Sequence, residues 1–315
     1  MDNLKKEIHE RNFGDLSLQA NKLSSYPMQI AREDTSIIRL QMIANHSPVN
    51  DENDDILLGV GTGFLVTLNN DKTLITCWHN VTGIHHETRE WISDKKASQT
   101  SPTHIIAQNT FISPKGNGFN KQRYALYDSV GTPKWRVHPA VKNFYDIVAI
   151  DLIDDDAPQL CPAVKIQKDS LLRSIRPRQE IFVAGYPTHD ASNQFLPIWK
   201  KGSIASSPQL PYAGHPKFLI DATTRGGMSG APVFFHNQST MKHFPYNGGD
   251  GYGELSGPLL WVGMYTAREY TSDSSNSSEL GFVWRKDDII DVIEKGVRDC
   301  SPELGISYPA YKYKP

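Results

Sequence analysis

The chain is short of the features that mark most specialised proteins. Cysteine is scarce: Cys77, Cys161 and Cys300 are odd in number and far apart. That excludes a disulfide framework and fits a reduced compartment. No sign of charge dominates, with a formal net charge of −2. Without a basic excess or a Lys/Arg run, nucleic acid and membrane surfaces are not expected partners. No apolar run approaches the length of a membrane-crossing helix. The opening MDNLKKEIHERNFGDLSLQANK lacks an apolar h-region, so it does not read as a secretory signal, and a cytoplasmic location is expected. Helical periodicity is also nearly missing.

What is present is a long series of short apolar runs in a chain of 315 residues. TSIIRLQMIA, ILLGVGTGFLVTL, TLITCWHNV, THIIAQNTFI, YDIVAIDLI, EIFVAGYP, KFLIDATT, APVFF, LLWVGMYTA and LGFVW are rich in Ile, Val, Leu and Thr. Polar, Gly/Pro-containing clusters separate them. This pattern argues for an all-β sandwich or barrel rather than βαβ units. The exception is DDIIDVIEKGV, 287–297, where Ile289, Ile290, Val292, Ile293 and Val297 recur with helical spacing. A short amphipathic helix is also expected over Leu4–Arg11, ended by Gly14. Two polar stretches, 236–258 and 268–280, read as exposed loops.

The stretch TTRGGMSGAPVF, 223–234, brackets Ser229 with Gly226, Gly227 and Gly230 and then enters an apolar strand. Glycine suits positive φ and close approach. Such a loop could be a tight turn alone, or could hold a nucleophile beside bare backbone N–H groups. A serine needs a base and something to orient that base. Among eleven histidines, His79 stands at the end of an apolar run. Asp146 opens the apolar segment DIVAIDL, where a buried carboxylate would need a donor. Asp151 and Asp128 are alternatives to it. The order His79, Asp146, Ser229 is that of the chymotrypsin template, not of the α/β-hydrolases.

Competing readings are weaker. Cys77, His79, His85 and His86 lack the paired spacings of structural zinc. GVGTGF, 59–64, is followed by a strand-like segment and places its third glycine early for a dinucleotide loop. GMSGA has Ala231 where a nucleophile elbow has glycine.

Four segments together resemble the bacterial-type trypsin-like serine peptidases of the chymotrypsin superfamily: GTGFLV (61–66), ITCWHNV (75–81), DIVAIDL (146–152) and GGMSGAPVF (226–234). WVGMYTA (261–267) resembles the strand that lines the substrate backbone. The resemblance implies two six-stranded antiparallel β-barrels with a cleft between them. It places residues 31–162 with His79 and Asp146 in the first barrel and 163–285 with Ser229 in the second. Residues 1–30 are then an N-terminal extension, and 286–315 a C-terminal helix and tail. Ser229 would be the nucleophile, His79 the base, Asp146 its orienter, and the N–H groups of Gly227 and Ser229 the oxyanion hole. Thr223 and Tyr265 would face the specificity pocket. Neither is acidic, so a Lys/Arg preference is not implied.

The resemblance further implies hydrolysis of a protein or peptide substrate through an acyl-enzyme, with no metal or cofactor. Met228 stands where digestive relatives carry an aspartate, so activation by a freed N-terminus is not expected. A regulatory protein partner is expected instead. The alternatives are a catalytically silent module of the same fold that binds a protein or peptide, and an esterase on another fold.

Overall fold

The computed structural model describes residues 32–299, apart from 46–50, 69–70, 94–98, 114–115, 141–144, 153–163, 166–174, 188–195, 237–239, 247–248, 256–258 and 269–278. The expected helix at Leu4–Arg11, the N-terminal extension before residue 32, Cys161 and Cys300 lie outside the described residues.

Strands dominate. The first half holds β1 (Ile37–Ala44), β2 (Ile56–Leu68), β3 (Asp71–Thr76), β4 (His104–Ser113), β5 (Gly116–Ala125), β6 (Trp135–Val137), β7 (Val148–Asp151) and β8 (Val164–Lys165). The second holds β9 (Glu180–Gly185), β10 (Ile198–Ile204), β11 (Lys217–Asp221), β12 (Pro232–His236), β13 (Thr240–Tyr246), β14 (Gly249–Leu255), β15 (Leu259–Arg268) and β16 (Leu280–Arg285). β17 (Val297–Arg298) follows near the C-terminus. Three α-helices, α1 (Arg32–Ser36), α2 (Trp78–Thr82) and α3 (Lys286–Lys295), and a 3-10 turn at Glu52–Asp54 complete the described chain.

The fold is all-β, with an asymmetry between its halves. β10-β11-β16-β15-β12-β9 close into a six-stranded antiparallel barrel. The other half is a nine-stranded sheet in the order β17-β6-β7-β3-β2-β1-β4-β5, with β8 parallel on β2. Among the described residues its pairings do not close it, yet its two ends share a core. Trp135 and Val137 from β6 share one core with Leu40, Ile105 and Leu126.

Three apolar clusters follow from this arrangement. One lies in the nine-stranded half. One fills the barrel, with Phe218, Ile220, Met228, Val233 and Val283. The third lies between the halves, where Phe64, Ile75, Cys77 and Ile147 meet Tyr186, Phe234, Met264 and Trp284. Helix α3 seals it with Ile289, Val292 and Ile293, each worth about 1.5–3 kcal/mol when fully buried.

The helix expected over 287–297 stops earlier. It ends at Lys295, and Val297 pairs with Val137 as part of β17. The strand holds Asp299 in place, where its Oδ2 accepts from the indole N–H groups of Trp78 (2.8 Å) and Trp135 (2.9 Å). The polar stretch 236–258 is not merely a loop, because β13 and β14 pair there as a separate ribbon.

Candidate active site

Neighbouring strand ends bring His79 and Asp146 together. β3 pairs with β7 so that Ile75 faces Ala149 and Thr76 faces Val148. His79 sits just beyond β3, in the single turn of α2, and Asp146 lies two residues ahead of β7. The turn is stopped by Gly83, whose N–H donates to the His79 carbonyl.

The Asp146 carboxylate is fully buried and well supplied with donors. Its Oδ1 accepts from the His79 backbone N–H at 2.9 Å. Its Oδ2 lies 2.8 Å from His79 Nδ1 and also accepts from the Thr266 hydroxyl. Burial pushes this carboxyl up, but the His79 and His86 imidazoles and the donors from His79 and Thr266 outweigh it and hold it below the carboxylate range. An ionised carboxylate only accepts, so Nδ1 carries the ring proton of neutral His79. Nε2 then keeps its lone pair.

Ser229 comes from the other half. Its loop is fastened to the sheet through backbone atoms. The Ser229 carbonyl accepts from the Thr62 N–H (2.9 Å) and from Asn80 Nδ2 (3.0 Å). The Thr62 hydroxyl donates to the Gly227 carbonyl (2.8 Å) and accepts from the Tyr186 N–H (3.0 Å). The Thr76 hydroxyl donates to the Thr62 carbonyl (2.7 Å) and accepts from Asn80. Asn80 directly follows His79, so one side chain links base and nucleophile segments.

The glycines have definite roles. Gly227 and Gly230 have φ of 88° and 91°, in the region that L side chains avoid. At Gly230 a Cβ would also stand 2.0 Å from the Thr62 carbonyl oxygen. Among the described residues, the N–H groups of Gly227 and Ser229 have no acceptor, and the Ser229 hydroxyl makes no hydrogen bond. The loop thus presents two bare amides beside a free hydroxyl. Met228 between them points into the barrel core and is fully buried.

The two residues expected at the specificity pocket differ. Thr223 is exposed. Tyr265 is only 2 % exposed, and its hydroxyl lies 2.7 Å from the Thr224 hydroxyl.

The atoms of Cys77, His79 and Asp146 that could ligate a metal lie within 4.8 Å of one another. Their chemistry fits a hydrogen-bonded corner better than an ion site. His79 Nδ1 and Asp146 Oδ2 touch at 2.8 Å, whereas two ligands of one tetrahedral zinc sit about 3.3 Å apart. Burial and the Asp146 charge push the Cys77 thiol up, away from thiolate. His85 and His86 fall outside this group.

Sequence reasoning missed Thr62, Thr76, Asn80 and Thr266. The first three lie inside the quoted segments GTGFLV and ITCWHNV, but nothing in a one-dimensional pattern says that Thr62 and Asn80 hold the Ser229 loop or that Thr76 braces both. Thr266 follows Tyr265 in WVGMYTA, one step along the strand.

Comparison with known proteins adds the family. The model of the trypsin-like peptidase domain matches residues 61–240, which contain His79, Asp146 and Ser229. The Rv3671c protease of M. tuberculosis in its active form is 14% identical, covering 84% of this chain and 82% of that one, with a TM-score of 0.42. The protease Anisep from Arthrobacter nicotinovorans is 13% identical, covering 81% of this chain and 91% of that one, with a TM-score of 0.44. No curated protein matches. No described helix is long and apolar enough to cross a membrane. With more than half of its length matched, this chain belongs to the trypsin-like peptidase family.

Proposed function

We propose that the protein is a serine endopeptidase in which Ser229, His79 and Asp146 act as a triad. A peptide carbonyl is attacked by Ser229 Oγ. His79 Nε2, turned away from Asp146 by the Nδ1 contact, takes the hydroxyl proton and returns it to the leaving amine. The buried carboxylate keeps the ring in that tautomer and stabilises the imidazolium. The Gly227 and Ser229 amides receive the negative charge on the tetrahedral oxygen, each such donor being worth on the order of 3 kcal/mol of barrier. The acyl group stays on Oγ until water, activated by the same imidazole, releases it.

One observation carries this reading: His79 is locked at 2.8 Å onto a buried carboxylate, and the next residue, Asn80, holds the carbonyl of Ser229, in a loop whose Gly227 and Ser229 amides have no acceptor among the described residues. The missing Ser229–His79 bond is compatible with it, because catalytic hydrogen bonds often tighten only with substrate bound. That same missing bond favours a second reading, a silent module that binds a peptide without cutting it. Regulation by a protein partner fits the way the Ser229 loop hangs on Thr62, since a shift between the halves would move both amides.

Hydrolysis of an unfolded protein such as reduced casein, followed by mass spectrometry of the fragments, separates the readings. Cleavage that disappears in Ser229→Ala and in His79→Ala supports the peptidase. Casein left intact but retained by immobilised protein would favour the silent module. Indiscriminate turnover by the purified chain would argue against control by a partner.

A further inference from the structure

A side chain carried on the acyl half of a substrate must find room beside Ser229, and the residues bonded to the Ser229 loop set how much there is. Tyr265, whose main chain bonds to that loop, is framed by the segment 223–227, by β15 and by β16. The frame is closed by main-chain bonds: the Gly230 N–H donates to the Tyr265 carbonyl (2.9 Å), and the Tyr265 N–H to the Ala231 carbonyl (2.8 Å). On the other edge Tyr265 pairs with Val283 and Arg268 with Gly281, across a register shift that loosens the ladder between them.

The phenol of Tyr265 spans this frame from wall to wall. At one end its hydroxyl shares a 2.7 Å hydrogen bond with the hydroxyl of Thr224, five residues before Ser229. At the other its ring lies against Gly281 so closely that a Cβ there would stand 2.7 Å from Cε2. Thr224 is 0% and Tyr265 2% exposed. The ring packs among Ala222, Met228 and Val283 in the barrel core. A second aromatic ring could enter only by expelling the first and breaking its hydroxyl bond. The side chains of the frame that carry hydroxyls (Thr223, Thr224, Tyr265, Thr266) or charge (Arg225, Arg268, Arg285) include no carboxylate, so nothing there pairs with a substrate cation.

We propose that Tyr265 is a specificity-determining residue that closes the pocket beside Ser229 and restricts cleavage to positions after small residues such as Gly, Ala and Ser. The inference rests on Ser229 being the nucleophile. The pocket is shallow, with the Tyr265 ring as its floor. Aromatic, long aliphatic and basic side chains are excluded by volume rather than by charge.

Peptidyl diphenyl phosphonates ending in the Ala or the Phe analogue test this, read as rates of covalent modification of Ser229. The wild-type protein should react at least tenfold faster with the Ala probe. Tyr265→Val, which keeps a strand-compatible residue but removes the ring, should cut that ratio by at least tenfold. Tyr265→Phe, which keeps the ring, should retain it, and together with the wild-type ratio decides the matter if the Val variant does not fold. A wild-type preference for the Phe probe, or a small-residue preference unchanged in Tyr265→Val, would overturn the inference while leaving the nucleophile intact. Failure of both phosphonates and of a small fluorophosphonate to modify Ser229 would overturn the parent reading and this inference with it.

Discussion

The two sides of the candidate site are built on different principles. On the sheet side, His79 and Asp146 are wired side chain to side chain, and every contact converges on one buried carboxylate. On the barrel side, the described residues hold Ser229 through its backbone, and among them its hydroxyl and the Gly227 and Ser229 amides find no partner. The difference fits the chemistry. A base must be oriented and kept in one tautomer before the reaction, so its partners are fixed in advance. A nucleophile must change partners during the reaction, and amides that stabilise a developing charge must not be occupied beforehand. Rigidity sits in the frame and freedom in the reacting atoms.

The largest effect should come from breaking the wired side. Asp146→Asn should lower kcat about 10⁴-fold, the loss known from the triad template, with little change in KM. Thr266→Val removes one donor from the same oxygen and should cost only roughly tenfold. Equal losses from the two would mean that the carboxylate is not the centre of the wiring. A stability effect comes next. Asp299→Ala leaves the buried indole N–H groups of Trp78 and Trp135 without their shared acceptor. Urea unfolding should show a loss of about 2–4 kcal/mol.

Thr62→Val probes the join between the two sides. It strips the donor from the Gly227 carbonyl and the acceptor from the Tyr186 N–H. The expected cost is about 1–3 kcal/mol of stability, together with a fall in kcat as the Gly227 amide loses its fixed orientation. A variant that loses stability but keeps full kcat would show that the backbone anchor does not position the amides.

The smallest effect belongs to His104, on the sheet but outside the site. Burial, with Arg123 nearby, pulls its pKa down to about 4 from an ordinary 6.5. The folded protein therefore binds fewer protons than the unfolded chain between those values, and stability falls as pH drops from about 6.5 towards 4. His104→Gln should flatten that part of the melting-temperature profile and leave kcat unchanged.

The candidate groups stood out in the sequence more clearly than the residues that hold them. His79, Asp146 and Ser229 stand in segments whose residue types fit one chemistry and one chain order. The all-β class was legible from Ile/Val/Thr-rich runs bounded by turn residues. Closure was not: strand pairing across long separations decides that the barrel closes while, among the described residues, the sheet does not, and local patterns do not carry it. Thr62 shows the same limit, because its contact with Gly227 spans 165 positions of chain. Val297 continued the apolar spacing of α3, yet after Gly296 it turns to pair with β6. Tyr265 was expected to face a specificity pocket, but only packing shows that its ring is buried in the barrel core between Thr224 and Gly281.

The central claim is that His79 makes the Ser229 hydroxyl uniquely reactive. Treatment of the folded chain with a fluorophosphonate, followed by peptide mapping, tests it directly. The account predicts one adduct on Ser229 that is lost on unfolding and in His79→Ala. A folded chain left unmodified, or labelled equally well in His79→Ala, would contradict it.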